Sequence, residues 1–414
     1  MRPPDRGVGG RAVRAAWSGP RIRVCHVITR LELGGAQQNT LHTVAHLDRR
    51  RFEPSLIAGP GGPLDEDARR IREVSVTFVP ELVRAVSPAR DARALVKLVR
   101  IFKDIAPDIV HTHSSKAGIL GRWAARMAGV PAIVHTIHGY AFHPEQTRLA
   151  YWAFRSLETV TGRITTRIIA VSRANVDTGL RYRLFPEKKT MLVRSGIPLR
   201  AFGERAGAGS LRAELRLPPE VPVAGMVACL KPQKAPLDFV AVARRVADRV
   251  PSAHFVLVGD GELRSAVEAE VDRQRLRGRF HLLGWRRDIP AILGGLNVFV
   301  LTSLWEGLPR VIPEAMASGL PVVATRVDGT PEAVADGVSG YLVAAHDVET
   351  MADRVAFLFE HPGEARVMGE RGKSGVGDFD IDVMVRRQEN LYEELALTTG
   401  RTGTAGLTLS ASSS

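Results

Sequence analysis

Short apolar runs rich in Val and Ile alternate along the chain with longer stretches in which apolar positions recur every three to four residues. A short run bounded by turn residues reads as a buried strand, and the longer period reads as a helix lying against it. The first such unit is Ile22 to Ile28, the Gly34-Gly35 turn, and a helical pattern through Leu47. Further strands are predicted at Ser55 to Ala58, Val76 to Val79, Ile109 to His111, Ala132 to Thr136 and Ile168 to Val171, with helices such as Ala89 to Lys103 and Ala117 to Ala128 between them. Glycine and proline cluster from Ser195 to Gly209, which places a linker there. The second series predicts strands at Val223 to Ala228, His254 to Gly259, Phe280 to Leu283, Val298 to Thr302 and Pro321 to Thr325, and a helix from Leu237 to Ala247. A last strong helical pattern spans Ile381 to Leu395.

This alternation implies parallel sheets covered on both faces. The expected fold class is α/β: two Rossmann-like doubly wound domains facing across a cleft at the carboxyl ends of their strands. The expected organisation is a flexible basic extension over 1–20, an N-terminal domain over 21–198, a C-terminal domain over 206–378, a helix over 379–396 and a disordered polar tail over 397–414.

Composition narrows the picture. A length of 414 residues with 45% hydrophobic content supports two cored domains. No run approaches the roughly 18 apolar residues of a membrane span, and Gly7 to Pro20 lacks the apolar core of a secretory signal, so a cytoplasmic protein is expected. Cys25 and Cys229 lie in strand-like runs without metal-ligand neighbours and are expected as buried, reduced thiols. The net charge of +13 is lopsided: residues 1–200 hold 33 Lys and Arg against 16 Asp and Glu, and the remainder holds 24 against 28. An anionic partner for the N-terminal half follows, a phospholipid surface at the inner membrane face, a lipid-diphosphate acceptor or nucleic acid; the competing reading spreads the arginines over solvated helix faces.

The chemistry concentrates in Ser303-Leu-Trp-Glu306-Gly-Leu-Pro-Arg310-Val-Ile-Pro-Glu314-Ala-Met-Ala-Ser-Gly319, directly after an apolar run. It reads as strand, tight loop, helix. Pro313 and Glu314 suit a first helical turn for structural reasons alone. The same device presents backbone N–H groups to a phosphate, with one carboxylate placed for ribose hydroxyls and Glu306 at the far end of a diphosphate-linked ligand.

Glu306 and Glu314 resemble the paired-glutamate signature of retaining glycosyltransferases of family 4, which have the GT-B fold. Leu230-Lys231-Pro-Gln-Lys234, Val258-Gly-Asp-Gly261-Glu262-Leu263, Gly284-Trp285, Pro321-Val-Val-Ala-Thr325, Gly329-Thr-Pro-Glu332 and Gly337-Val-Ser-Gly340-Tyr-Leu-Val343 repeat that family's order of elements, so the resemblance covers about residues 22–395. It implies that Glu314 holds the nucleotide ribose, that Glu306 contacts the transferred sugar, and that Gly307, Leu308, Pro309, Val311 and Ile312 surround the phosphates. It implies further that Lys234 offsets the diphosphate, that Gly35 approaches the donor, that His138 lies beside the sugar, and that the last helix returns to the N-terminal domain. The arginine usual five residues before this lysine is Cys229 here, and Lys231 is the candidate replacement.

The activity so implied is transfer of a sugar from a UDP- or GDP-sugar to an acceptor hydroxyl, with retention, in assembly of a cell-surface polysaccharide or glycolipid; nucleic acid is then not the expected partner. A nucleotide-sugar 2-epimerase of similar fold and a non-catalytic basic membrane- or nucleic-acid-binding protein are the alternatives. In the N-terminal half, His111-Thr-His113-Ser114-Ser-Lys116 opens a helix and suits a polyhydroxylated or anionic acceptor, with His113, Ser114 and Lys116 as candidates. A metal is set aside there because no further ligand stands near in sequence. Asp65-Glu66-Asp67 is read as the start of a solvated helix rather than a metal motif, and His143 is left open. No cofactor is expected.

Overall fold

The computed structural model describes residues 19–142, 146–202 and 208–400. Most of the basic extension and tail, the middle of the linker and His143 lie outside the described residues. Strands β1 (Ile22–Arg30), β2 (Phe52–Gly59), β3 (Ser75–Phe78), β4 (Ile109–His113), β5 (Ala132–Ile137), β6 (Arg167–Ala170) and β7 (Thr190–Leu192) form a seven-stranded parallel sheet in the order β3-β2-β1-β4-β5-β6-β7. Strands β8 (Val223–Val227), β9 (His254–Val258), β10 (Phe280–Gly284), β11 (Val298–Leu301), β12 (Val322–Thr325) and β13 (Gly340–Val343) form a six-stranded sheet in the order β10-β9-β8-β11-β12-β13. Both orders reverse direction beside the first strand, the place where open α/β sheets bind ligands at strand carboxyl ends.

Each central strand is buried along nearly its whole length, which is why the strands read as continuous apolar runs. The C-terminal domain has one large core drawn from both sheet faces. The last helix, Ile381–Thr398, packs instead on the N-terminal sheet: Met384, Val385, Leu391, Tyr392 and Leu395 share a cluster with Ile22, Val24, Phe52, Ile109 and Val134. Arg51 of the N-terminal domain pairs with Glu389, at 2.7 Å, and with Glu393 of this helix.

Cys25 is buried on β1 as expected, and burial pushes its thiol up to about 12. Cys229 differs from expectation. It lies past the end of β8 and is only partly buried, because the strand stops at Val227 to open the cleft loop. The helix end also differs: Leu397 and Thr398, assigned by sequence to the polar tail, continue the last helix.

Candidate functional site

Strand β11 ends at Leu301, and a loop carries the chain to the helix Val311–Ala317. Thr302 locks this loop to its neighbour by donating to the carbonyls of Lys234, at 2.8 Å, and Ala235, at 2.9 Å. The lock brings Lys234 against Glu306: the ammonium pairs with Glu306 Oε1, and Ser303 Oγ donates to the same oxygen at 2.6 Å. The amide of Glu306 donates to Asp328 Oδ2 at 2.6 Å. Asp328 has its pKa raised, first by burial and further by the charge of Glu306.

At the other end of the loop Glu314 is buried 3.4 Å from the Arg310 guanidinium. Burial raises the Glu314 pKa against the pull of Arg310, and lowers that of Arg310. Arg310 also donates to Gln38 Oε1 on the first helix, Gly35–His46, across the cleft. Gly35 lies under the same side chain, since a Cβ there would stand 3.0 Å from Arg310 Cδ. The domains come into backbone contact at Gly307, where a Cβ would stand 1.9 Å from the carbonyl oxygen of His138.

Between the domains is a cleft of about 620 Å³, within the range of small-molecule sites. Of the residues expected at the donor or the chemistry, Gly35, His138, Lys234, Glu306, Gly307, Leu308, Pro309, Val311 and Glu314 line it. Ile312 turns into the C-terminal core, and its amide already donates to the Pro309 carbonyl at 3.1 Å. Lys231 faces Glu32 at 4.0 Å. The expected acceptor group is not brought to the cleft as a set. Ser114 is tied to Thr29 at 2.7 Å, and Lys116 pairs with Asp91 of the neighbouring helix at 2.7 Å. His113 sits behind His138, 3.3 Å from its Nε2.

No third ligand stands near His111 and His113 in sequence, but β1 supplies one in space. Parallel register sets His26 beside His111, and ligand nitrogens of His26, His111 and His113 lie within 4.8 Å of one another. All six nitrogens of these rings are engaged in hydrogen bonds, which an ion would have to break. Tyr392 Oη has one proton and two partners that could accept it, His111 Nδ1 at 2.5 Å and Gln388 Oε1 at 3.3 Å, and it donates to the nearer, His111. His111 Nε2 then donates to Thr136 Oγ1, at 2.7 Å. Tyr392 accepts from His26 Nε2 at 3.4 Å, His26 Nδ1 accepts from His113 Nε2 at 3.0 Å, and His113 Nδ1 accepts from His138 Nε2. Every ring is neutral in this sequence of bonds. Burial accordingly lowers His26 to about 3 and His138 to about 4. The chain of donors leaves Nδ1 of His138 carrying the lone pair.

Asp65 is not solvated. It is buried and accepts the amides of Gly61, at 2.7 Å, and Gly62, at 3.1 Å, while Asp67 pairs with Arg287 of the other domain at 3.1 Å. Sequence reading also missed Arg310, Asp328, His26 and Tyr392. The spacing of Arg310 four residues before Glu314 was the one available signal.

Residues 33–201 match the family model described as Glycosyltransferase Family 4, and residues 221–361 match Glycosyl transferases group 1. The UDP-Gal:alpha-D-GlcNAc-diphosphoundecaprenol alpha-1,3-galactosyltransferase of Escherichia coli is 36% identical over 382 residues, covering 91% of this chain and 98% of that enzyme. The chain belongs to the family 4 glycosyltransferases. A Campylobacter jejuni N,N'-diacetylbacillosaminyl-diphospho-undecaprenol alpha-1,3-N-acetylgalactosaminyltransferase is 24% identical, over 80% of this chain and 90% of its own. The fold matches Anabaena HepE, solved in complex with UDP and glucose, with a TM-score of 0.78, 20% identity, and coverage of 90% of this chain and 100% of that one. This family 4 chain is therefore a GT-B enzyme that uses a nucleotide-sugar donor. Among its described residues no helix is long and apolar enough to cross a membrane.

Proposed function

We propose that the enzyme moves a hexose, with galactose the first candidate, from UDP to a hydroxyl of a sugar carried on a polyprenyl diphosphate, with retention of configuration. The observation that carries this reading is the convergence of Lys234 and Ser303 on Glu306, in a cleft whose opposite wall is His138. The relationship to the Escherichia coli galactosyltransferase along nearly the whole of both chains supports the sugar and the lipid-linked acceptor.

In the proposed mechanism Glu314 holds the ribose, and Lys234 with the loop amides faces the diphosphate. Glu306 and the Nδ1 lone pair of His138 orient hydroxyls of the transferred sugar. As the bond from the anomeric carbon to the β-phosphate oxygen breaks, its electron pair leaves on that oxygen. The acceptor hydroxyl bonds to the same face of the sugar, and its proton passes to the departing oxygen. Lys234 offsets the charge that grows there.

The test is incubation with UDP-galactose, UDP-glucose or GDP-mannose and a synthetic lipid-diphosphate-linked N-acetylglucosamine, followed by NMR of the product. An α-galactoside from UDP-galactose is expected. A β-linked product, transfer from the GDP-sugar alone, or isomerised sugar without acceptor would each overturn the proposal.

A further inference from the structure

The helix Arg148–Ile164 follows the loop that leaves β5 beyond His138, and it connects β5 to β6. A connecting helix of such a sheet ordinarily buries its apolar stripe and presents acidic and basic residues to water. Here the outward face holds Leu149, 82% exposed, Trp152, 54% exposed, Leu157 and Val160. These positions fall on one side of the helix at its natural period, and Arg148 and Arg163 are exposed at its two ends. The one acidic residue of the helix, Glu158, is turned inward and pairs with the fully buried Arg122 at 2.8 Å. Arg155 lies over the Trp152 ring at 4.8 Å and over Tyr182 at 4.5 Å, so its charge rims the apolar face.

The surroundings carry the same sign. From Thr147 to Lys189 there are nine Lys and Arg against three Asp and Glu, a surplus of six in a chain whose net charge is +13. At the far end of the helix Arg163, Arg167, Lys188 and Lys189 surround a shallow open depression. Isolated exposed apolar residues need no explanation, but an outward face of Leu149, Trp152, Ala153, Leu157 and Val160, interrupted by Ser156 and rimmed by cations, is the arrangement of a helix lying in a lipid interface. A protein partner with an apolar groove would need acidic rims of its own, whereas an anionic bilayer supplies both an apolar layer and a negative surface.

We propose that the outward face of the Arg148–Ile164 helix docks the enzyme on an anionic bilayer. The helix is about 25 Å long and would lie in the plane of the interface. Its N-terminal end, with Leu149 and Trp152, is the end that adjoins the His138 loop, so docking brings the cleft mouth to the level at which a lipid diphosphate presents its sugar. That last step rests on the acceptor proposed above; the docking itself does not.

The experiment is flotation of the full chain with vesicles of phosphatidylglycerol and phosphatidylcholine, or phosphatidylcholine alone, comparing wild type with Leu149→Glu/Trp152→Glu/Val160→Glu. Wild type is expected to float with the anionic vesicles, and the variant to lose at least about tenfold in partitioning. The variant should keep the wild-type thermal shift with UDP, which shows that it is folded. Wild type that does not float, a variant that floats equally, or a wild-type dimer that the variant converts to monomer would overturn the proposal, the last assigning the face to self-association. Transfer to a vesicle-borne acceptor should fall by about the same factor as partitioning, while transfer to a detergent-free, short-chain acceptor stays unchanged. Flotation without transfer to either acceptor would leave docking standing and refute the acceptor reading alone.

Discussion

Lys234 and Lys231 stand three positions apart, yet the structure gives their charges different destinations. Lys234 pairs with Glu306 inside the cleft, while Lys231 faces Glu32 at its rim. A cation helps a leaving diphosphate only where the charge develops, and a preorganised one in a water-poor site is worth about 10²–10³ in rate. Lys234→Ala is therefore expected to lower kcat by about that factor in steady-state assays, and Lys231→Ala to change it by no more than about threefold. Equal losses in the two variants would show that Lys231 does stand in for the arginine absent at Cys229. The place of Lys234 was legible because it follows a strand within a familiar order of elements. The direction of Lys231 was not, since a residue on a turn takes its partner from the opposite domain.

Strands β1, β4 and β5 carry, from mid-strand to just past their carboxyl ends, a set of imidazoles that the protein keeps uncharged. His26 is pushed down to about 3 and His138 to about 4, and burial holds His111 and His113 well below their ordinary value. In the unfolded chain each would titrate near about 6.5. A depressed pKa means that the unfolded state takes up protons first as pH falls, so the stability these groups contribute is fully present above about 6.5 and is lost on the way down to their folded values. At about pH 5 the loss is about 2 kcal/mol for His26 and for His138, and His111 and His113 act in the same direction. The midpoint of thermal unfolding should therefore drop steeply between about pH 7 and pH 5, and less steeply in His26→Asn; a flat wild-type profile over this range would contradict the assignment. These strands were readable as apolar runs because parallel strands are buried on both faces. Their polar wiring was not, because His26 and His111 become neighbours only through parallel register, and Tyr392 reaches them from a helix at the other end of the chain. Strand β7 escaped for a related reason: three half-buried residues at a sheet edge leave no apolar run to read. The outward-facing apolar stripe of Arg148–Ile164 was equally hidden, since periodicity reports a helix but not which side meets the core.

Across the whole molecule, the two domains touch where the site is assembled, and that contact is made by backbone. Gly307 passes so close to the His138 carbonyl that a Cβ would come within 1.9 Å of it, and Gly329 lies against the Gly307 carbonyl and Ser172 in the same way, at 2.1 and 2.9 Å. The His138 carbonyl cannot yield as a flexible side chain could, so a methyl group at Gly307 must push the domains apart. Arg310 with Gln38, and Glu332 with Arg194 and the amide of Ala174, are polar links across the same junction and would lengthen together. Lys234, Glu306 and Glu314, the groups proposed to hold the donor, all belong to the C-terminal domain, whereas His138 belongs to the N-terminal one. Opening the junction thus separates the two walls proposed for the sugar while leaving the nucleotide's own contacts in place. Gly307→Ala is expected to retain a thermal shift with UDP and to lose about 10²-fold or more in transfer, the scale set by an ångström-sized misplacement of reacting groups. Small-angle scattering should show a larger radius of gyration for the variant in the presence of UDP than for wild type under the same conditions. A variant as compact and as active as wild type would mean that the Gly307 contact is not what holds the cleft in its reactive geometry.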